Sequence, residues 1–281
     1  MIIHLFKYIN ILIILNFNFC LPEGVINSDK KIHQVFKQKK IVPSEGIYTE
    51  NGKNLKYVIT GENKKGNIIF IHGSPGSWDN FLKYLSDKDL TKDFLLISID
   101  RPGFGKSNPG KFEPSLQKQS DLISAFIKSL NLKGKSIFLG HSFGGPVVAK
   151  IAMDYPELVN GILFIAASID PDQEEIKWFN NVADWKIIRW IIPESFDVSN
   201  QEILPLKSEL TKILPDWKNI KTNVIFIQGG KDSLVPPENA NFAKRVLVNS
   251  DFKLIYKEDL NHFIPWTNFD LVKSSIYLFN L

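Results

Sequence analysis

The feature that most constrains this chain is a series of short apolar runs, each of which ends in glycine or a polar residue. From residue 67 onward these runs are NIIFIHG, DFLLISID, SIFLG, GILFIAAS and NVIFIQGG. Runs of this length, bounded by turn residues, are typical of strands buried on both faces, as in a parallel sheet. We predict further strands at KNLKYVIT (53–60), near GIYTE, and at FKLIYKED (252–259), the last one close to an edge of the sheet.

Amphipathic stretches alternate with these strands. We predict helices near residues 78–88, 115–130, 144–155, 238–248 and 266–279. Short buried strands that alternate with helices favour the α/β class, with a mostly parallel sheet covered on both faces. A chain of 281 residues is long enough for one such domain with a small insert.

One connection is too long to hold a single helix between two strands. Residues 169–221 separate two predicted strands, and a structureless loop of that length is uncommon in a compact domain. We therefore predict a small helical insert here, between core segments 45–168 and 222–281. Its aromatic side chains either pack the insert onto the core or line a pocket. Four of the six tryptophans lie in it: Trp178, Trp185, Trp190 and Trp217.

The N-terminus differs from the rest of the chain. Residues 1–21 combine one lysine with a short apolar run, which is closer to a signal-peptide core than to a full membrane span. We expect export or membrane attachment at the cell envelope through this segment, with a cytoplasmic location as the alternative. Residues 22–44 are predicted as a basic linker, which either stays solvated or rests on an anionic membrane surface.

Cys20 is the only cysteine of the chain. A single cysteine excludes intramolecular disulfides and multi-cysteine metal sites. Its position after the apolar run is similar to that of the lipidated cysteine of bacterial lipoproteins. Phe19 departs from the small residue that normally precedes such a cysteine, so lipidation at Cys20 is the minority hypothesis.

The charge is unevenly distributed. Residues 1–40 carry six lysines against Glu23 and Asp29, and the rest of the chain has equal numbers of acidic and basic residues. A neutral globular part offers no electrostatic reason to bind nucleic acid. The expected partner is a small apolar molecule.

Three polar residues that follow predicted strands can carry chemistry together. In open α/β sheets, ligands bind beyond the carboxyl ends of the strands. Ser142 follows SIFL, Asp232 follows NVIFI, and His262 follows FKLIYKEDL. A serine hydroxyl is a weak nucleophile unless an imidazole takes its proton, and a buried carboxylate holds the imidazole in the required tautomer.

The glycines around Ser142 allow a strand to turn sharply into a helix. Such a turn exposes the hydroxyl and presents the Phe143 N–H to a developing oxyanion. A second donor must come from another loop, and the Ser74 N–H, in the loop after NIIFIHG, is the candidate.

The motifs HGSPGS, DRPGFGKS, GHSFGG, GGKDSLVPP and NHF, in this order, resemble those of the α/β-hydrolase fold superfamily over roughly residues 45–281. The resemblance implies a catalytic triad, an oxyanion hole, no cofactor, and a lid formed by residues 169–221. Asp100 and Arg101 usually have a structural role in this superfamily. The implied triad is Ser142, His262 and Asp232, and the implied oxyanion donors are the Ser74 and Phe143 amides.

Each assignment has a rival in the sequence. Asp170, after the preceding strand, is the alternative acid, because some superfamily members carry the acid there. His72 and His141 are the alternatives to His262, although both are expected to serve packing. His72 has no second ligand at a useful spacing, so we predict no metal site.

The HGSPG motif and the insert position resemble a branch that holds epoxide hydrolases, haloalkane dehalogenases, proline aminopeptidases, carbon–carbon bond hydrolases and small-ester hydrolases. Ser142 in place of an aspartate, and the lack of tyrosine in residues 169–221, argue against epoxide and haloalkane hydrolysis.

We predict an acyl-enzyme at Ser142 and hydrolysis of small carboxylic esters with an apolar part. The alternatives with the same triad are carbon–carbon cleavage, aminopeptidase or amidase activity, and perhydrolysis. A non-catalytic ligand-binding role is the alternative from another class. The predicted pocket residues are Trp78, Trp178, Trp185 and Trp190.

Overall fold

The structure, a computed structural model, describes residues 22–279. The predicted signal or membrane segment and Cys20 lie outside the described residues. Between Pro22 and Phe279, no helix has the length and apolar character needed to cross a membrane. The same residues contain no group of three or more side chains arranged to hold a metal ion.

The described strands form one sheet of eight, in the order β1-β2-β4-β3-β5-β6-β7-β8. β1 and β2 pair antiparallel, as do β2 and β4, and every pair from β4 to β8 is parallel. This confirms the mostly parallel sheet. The strands are β1 (Ser44–Glu50), β2 (Lys53–Gly61), β3 (Gly66–Ile71), β4 (Phe94–Ile99), β5 (Ser136–His141), β6 (Gly161–Ile165), β7 (Asn223–Gly229) and β8 (Phe252–Lys257).

Helices cover both faces of the sheet. The α-helices are α1 (Asp29–Lys39), α2 (Leu82–Leu85), α3 (Lys88–Asp93), α4 (Leu116–Ser129), α5 (Gly144–Asp154), α6 (Trp178–Ala183), α7 (Lys186–Ile191), α8 (Glu194–Ile213), α9 (Glu238–Val246), α10 (Ile264–Thr267) and α11 (Phe269–Ile276). Short 3₁₀ turns occur at Trp78–Phe81, Pro156–Leu158, Pro171–Gln173 and Leu214–Asn219.

Two apolar cores lie on opposite faces of the sheet. Successive residues of a strand point to opposite faces, and in β3 Ile69 and Ile71 join one core while Ile68 and Phe70 join the other. All four side chains are fully buried. A strand with both faces covered needs apolar residues at every position, which explains the continuous apolar runs of the sequence.

The prediction of a linker at 22–44 is wrong for its central part. α1 begins after Ser28, whose hydroxyl accepts the Lys31 N–H at 3.3 Å, and Asp29 lies in its first turn. Its one buried residue, Phe36, packs in the second core. Ile32 and Val35 are partly buried and pack against the same core, so apolar residues 32, 35 and 36 have helical spacing. The prediction relied on the lysine-rich composition and overlooked this spacing.

The connection between β6 and β7 contains three helices, α6, α7 and α8. Trp217, which follows α8, is 1% exposed and packs edge-on against Phe242 of α9, with 5.6 Å between ring centroids. This tryptophan therefore fixes the end of the insert to the core.

Candidate active site

Ser142 lies in a strained turn between β5 and α5. Its φ of 53° is in the left-handed region, which costs a non-glycine residue free energy. Three backbone bonds hold it there: its N–H donates to the Ile165 carbonyl at 3.0 Å, and its carbonyl accepts the N–H groups of Gly145 at 2.9 Å and Ser168 at 3.2 Å. The turn thus presents the half-buried serine at the carboxyl edge of the sheet.

The glycines beside Ser142 are required by close backbone approach. A Cβ at Gly140 would lie 2.6 Å from the Gly144 carbonyl oxygen, and one at Gly144 would overlap the Ile71 carbonyl of β3. No side chain fits either space. The GHSFGG motif is therefore explained by the packing of the helix start onto its own strand and on β3.

His262 pairs with Asp232. The His262 Nδ1 lies 2.8 Å from Asp232 Oδ2, and the other carboxylate oxygen accepts the N–H groups of Leu234 at 2.9 Å and Val235 at 2.8 Å. Because a carboxylate can only accept here, Nδ1 carries the ring proton and Nε2 keeps its lone pair. His262 in this state can take a proton through Nε2.

The rival acid, Asp170, has other partners. Its Oδ1 accepts the Asp172 N–H at 3.0 Å, and its Oδ2 lies 3.7 Å from Arg245 Nη2. The structure therefore brings Asp232, and not Asp170, to His262.

His141 supports the loop that carries His262. Its Nε2 donates to the His262 carbonyl at 3.1 Å, the two rings are 4.8 Å apart, and its other neighbour is Trp266 in an edge contact at 5.2 Å. Burial lowers the pKa of His141 well below 6.5. His141 is thus a neutral packing residue that couples the Ser142 turn to the His262 loop.

His72 holds the loop that follows β3. Its Nδ1 donates to the Gly73 carbonyl at 2.7 Å, and its Nε2 accepts the Arg101 N–H at 2.8 Å, an arrangement that only the neutral ring satisfies. Burial lowers the pKa of His72 well below 6.5. A Cβ added at Gly73 would lie 3.0 Å from the Ser142 Cβ. The backbone that leads to the Ser74 amide therefore passes directly beside Ser142.

A buried ion pair fixes the same loop from the other side. Arg101 donates to the carbonyls of His72 at 2.9 Å and Gly73 at 2.8 Å, and it forms a two-bond pair with Glu202 of α8 at 2.8 and 3.0 Å. Glu202 also accepts the Ser74 hydroxyl at 3.0 Å. Both charged side chains are fully buried. Burial raises the pKa of Glu202, and the Arg101 guanidinium opposes that rise.

Sequence reasoning missed Glu202. It was one of several acidic residues in the insert, and its partner Arg101 is 101 residues away in the chain. No spacing rule links two such residues; only the docking of α8 over the sheet edge brings them together.

Phe143 is the residue that precedes α5, so its amide lies at the N-terminal end of that helix. Unpaired N–H groups and the helix dipole make such an end favourable for negative charge. Its ring is 3% exposed and packs against the Arg101 guanidinium at 4.6 Å.

The expected tryptophan pocket is not found. Trp178, Trp185 and Trp190 are 76%, 65% and 90% exposed, so most of each side chain faces solvent. Trp78 is partly buried, and its backbone N–H donates to Asp100 at 2.8 Å. We expected the tryptophans of the insert to lie beneath it because large apolar side chains are usually buried.

Comparisons with known proteins agree with this architecture. Residues 66–186 match a family model described as alpha/beta hydrolase fold. Lipase 1 of Psychrobacter immobilis is 23% identical over 273 residues, which cover 84% of each chain. Proline iminopeptidase PfmaB of Pestalotiopsis fici is 22% identical, over 80% of this chain and 95% of its own.

Other curated relatives are matched over less of their length. The chain spans 30%, 47% and 32% of three of them, the last being epoxide hydrolase 4 of Mus musculus. Among solved structures, Est816, described as an N-acyl homoserine lactone degrading enzyme, superposes with a TM-score of 0.67 at 17% identity, over 83% of this chain and 100% of its own.

The sheet order and these matches define the class: the chain has the α/β-hydrolase fold. The proteins that it resembles include a lipase, a putative esterase/lipase and an epoxide hydrolase.

Proposed function

We propose that this protein is a serine hydrolase that cleaves carboxylic esters through an acyl-enzyme at Ser142. The observation that carries the proposal is the His262–Asp232 pair, with 2.8 Å between Nδ1 and Oδ2, which leaves Nε2 of the imidazole ready to accept a proton. The strained turn at Ser142 stands at the same edge of the sheet.

In the first half-reaction, His262 Nε2 takes the Ser142 hydroxyl proton as Oγ attacks the ester carbonyl carbon. Asp232 stabilises the imidazolium that forms. The negative charge on the tetrahedral oxygen is met by the Phe143 and Ser74 amides. Collapse of this intermediate expels the alcohol, which receives the proton from His262, and the acyl group stays on Ser142.

In the second half-reaction, water replaces the alcohol. His262 takes a proton from the water as it attacks the acyl carbon, and the carboxylic acid leaves after His262 returns the proton to Ser142. No group outside this chain is needed for either step.

The acidic residues of the insert favour a neutral substrate over one with an amine. Glu174 contacts the hydroxyl of Ser168, whose own N–H donates to the Ser142 carbonyl. Burial raises the pKa of Glu174. Glu202 is committed to Arg101.

The test is turnover of p-nitrophenyl butyrate by the wild type, Ser142→Ala and Ser44→Ala. Ser44 is an exposed serine of β1 and serves as the matched control. We expect loss of turnover and of fluorophosphonate labelling for Ser142→Ala alone. Equal rates in wild type and Ser142→Ala would refute the proposal.

A substrate panel then tests the ester class. It pairs the butyrate ester with proline p-nitroanilide and a carbon–carbon hydrolase substrate. We expect the ester to give the highest kcat/KM. A higher value for the anilide or the carbon–carbon substrate, lost in Ser142→Ala, would keep the serine mechanism and reject the ester class.

A further inference from the structure

α6 and α7 bury very little apolar surface against the rest of the protein. Asn180 is the one buried residue of α6, and none of α7 is buried. Val182, Ile188 and Ile191 are half-buried, but the other large apolar side chains of this stretch face solvent. They define what we call the aromatic surface: Ile176 (49% exposed), Trp178 (76%), Phe179 (54%), Trp185 (65%), Ile187 (72%) and Trp190 (90%).

Polar contacts attach these helices to α8. The Asn180 side chain donates to Asn200 Oδ1 at 2.8 Å, and Asn200 donates back to the Asn180 carbonyl at 3.0 Å. Arg189 forms two bonds with Asp197 at 2.8 and 3.2 Å. Helices on water-soluble domains normally bury their apolar face and expose their polar one. These helices therefore attach mainly through polar contacts and leave their largest apolar side chains outward, which favours contact of the outer face with another apolar phase.

The aromatic surface is large. At about 250 Å² for each tryptophan side chain, the three tryptophans alone expose about 580 Å². The largest apolar patch on a typical monomer is about 300–600 Å² in total and is often functional, so these three side chains alone reach the top of that range. Lys177 and Lys186 lie between the aromatic residues and are both exposed. Tryptophan and phenylalanine interleaved with lysine is the composition of segments that rest in the interface of a bilayer.

The contacts of the first described residues also favour a membrane as the partner of this surface. The Gly24 carbonyl accepts the Trp266 indole N–H at 3.1 Å, the Val25 carbonyl accepts Asn80 Nδ2 at 2.7 Å, and Asn27 donates to the Asp79 carbonyl at 3.1 Å. These partners lie in the 3₁₀ turn that follows β3 and in α10, which follows β8. The chain therefore enters at the carboxyl edge of the parallel sheet, which is also the edge from which the α6–α8 connection leaves β6. The apolar segment 1–21 directly precedes these residues in the sequence.

We propose that the aromatic surface docks on a phospholipid bilayer, with Trp178, Trp185 and Trp190 in the interface and Lys177 and Lys186 toward the headgroups. The described chain then begins on the side of the molecule that faces the membrane, and the edge that carries Ser142 faces the bilayer. This docking is independent of whether Ser142 is catalytic, because it is measured by binding.

The experiment uses the full chain with phosphatidylcholine vesicles whose acyl chains are brominated, which quench only tryptophans that enter the bilayer. Three of the six tryptophans lie in the aromatic surface. We expect about half of the wild-type emission to be quenched relative to unbrominated vesicles. The Trp178→Ser/Trp185→Ser/Trp190→Ser variant should show no quenching, even where segment 1–21 still holds it on the vesicles.

Val248→Ser is the matched control. Val248 is 69% exposed but lies between α9 and β8, at the opposite edge of the sheet, so this variant should be quenched like the wild type. Urea midpoints equal to that of the wild type verify that the variants are folded, as expected for exposed side chains. An unquenched wild type, including one that instead forms a dimer through this surface, overturns the proposal. Equal fractional quenching in wild type and triple variant does so as well.

Discussion

Removal of the Glu202 carboxylate should destabilise the whole protein, because it leaves the Arg101 charge buried and unpaired. Both side chains are 0% exposed, and the pair has two bonds of 2.8 and 3.0 Å. Loss of one partner of a buried ion pair costs about 3–5 kcal/mol. Arg101 keeps the carbonyls of His72 and Gly73 as acceptors. We therefore expect Glu202→Ala to lower the free energy of unfolding by about 3 kcal/mol, the lower end of that range.

The assay is urea unfolding followed by circular dichroism, with Glu202→Gln and Glu175→Ala alongside. Glutamine keeps the shape and one acceptor, so its loss should be smaller than that of alanine. Glu175 is an exposed insert glutamate paired with Lys177, and its removal should change the midpoint little. A Glu202→Ala variant within about 1 kcal/mol of wild type would refute the reasoning, because that is the value of an exposed pair.

Kinetics with Glu202→Gln separate positioning from stability. The Ser74 hydroxyl is bonded to both Glu202 and Ser199, at 3.0 Å each, and the variant weakens one of these bonds. If the loop carries an oxyanion donor, its displacement affects the transition state more than the bound ester. We expect kcat on p-nitrophenyl butyrate to fall by about 10–100-fold with little change in KM. A rise in KM at constant kcat would contradict this role.

Three further predictions follow from the site. The free energy of unfolding of Ser142→Gly should exceed that of Ser142→Ala by about 1 kcal/mol, because glycine adopts the left-handed backbone at φ 53° without strain. Equal urea midpoints for the two variants would contradict the strain. Asp232→Asn should lower kcat on the same ester by about 10⁴-fold, because an amide does not hold His262 in the tautomer whose Nε2 accepts a proton. A loss below about 10-fold would indicate that another residue supplies the acid. Burial lowers the folded-state pKa values of His72 and His141 well below 6.5, so the unfolded chain binds protons first as pH falls. The free energy of unfolding should therefore decrease as the pH falls below about 6.5, by up to about 1.4 kcal/mol per pH unit for each histidine. Asp100, whose pKa burial raises to about 6, contributes in the opposite direction, and it does so mainly below that pH. Urea midpoints between pH 7.5 and 6 keep this contribution smaller than that of the two histidines, and a flat profile there would contradict the assignment.

The pattern of apolar residues predicted the bounds of helices and strands well where a segment is buried on all sides. The run predicted at 67–73 is β3 at Gly66–Ile71, and the helix predicted at 144–155 is α5 at Gly144–Asp154. The same pattern predicted helix bounds poorly where only a few side chains of the segment are buried. The helix predicted at 266–279 is divided at Asn268 into α10 and α11, and α1 was missed.

The sequence by itself determined the parallel sheet, the order of its strand ends and the residue types that stand there, because buried strands and sharp turns leave few choices of side chain. Only the tertiary structure decided which of these residues meet. It brought His262 to Asp232 and left Asp170 with Arg245. It also joined Glu202 to Arg101 across 101 residues and turned the tryptophans of α6 and α7 outward. Such contacts depend on how whole elements dock, and the packing of distant surfaces leaves no periodic trace in the chain.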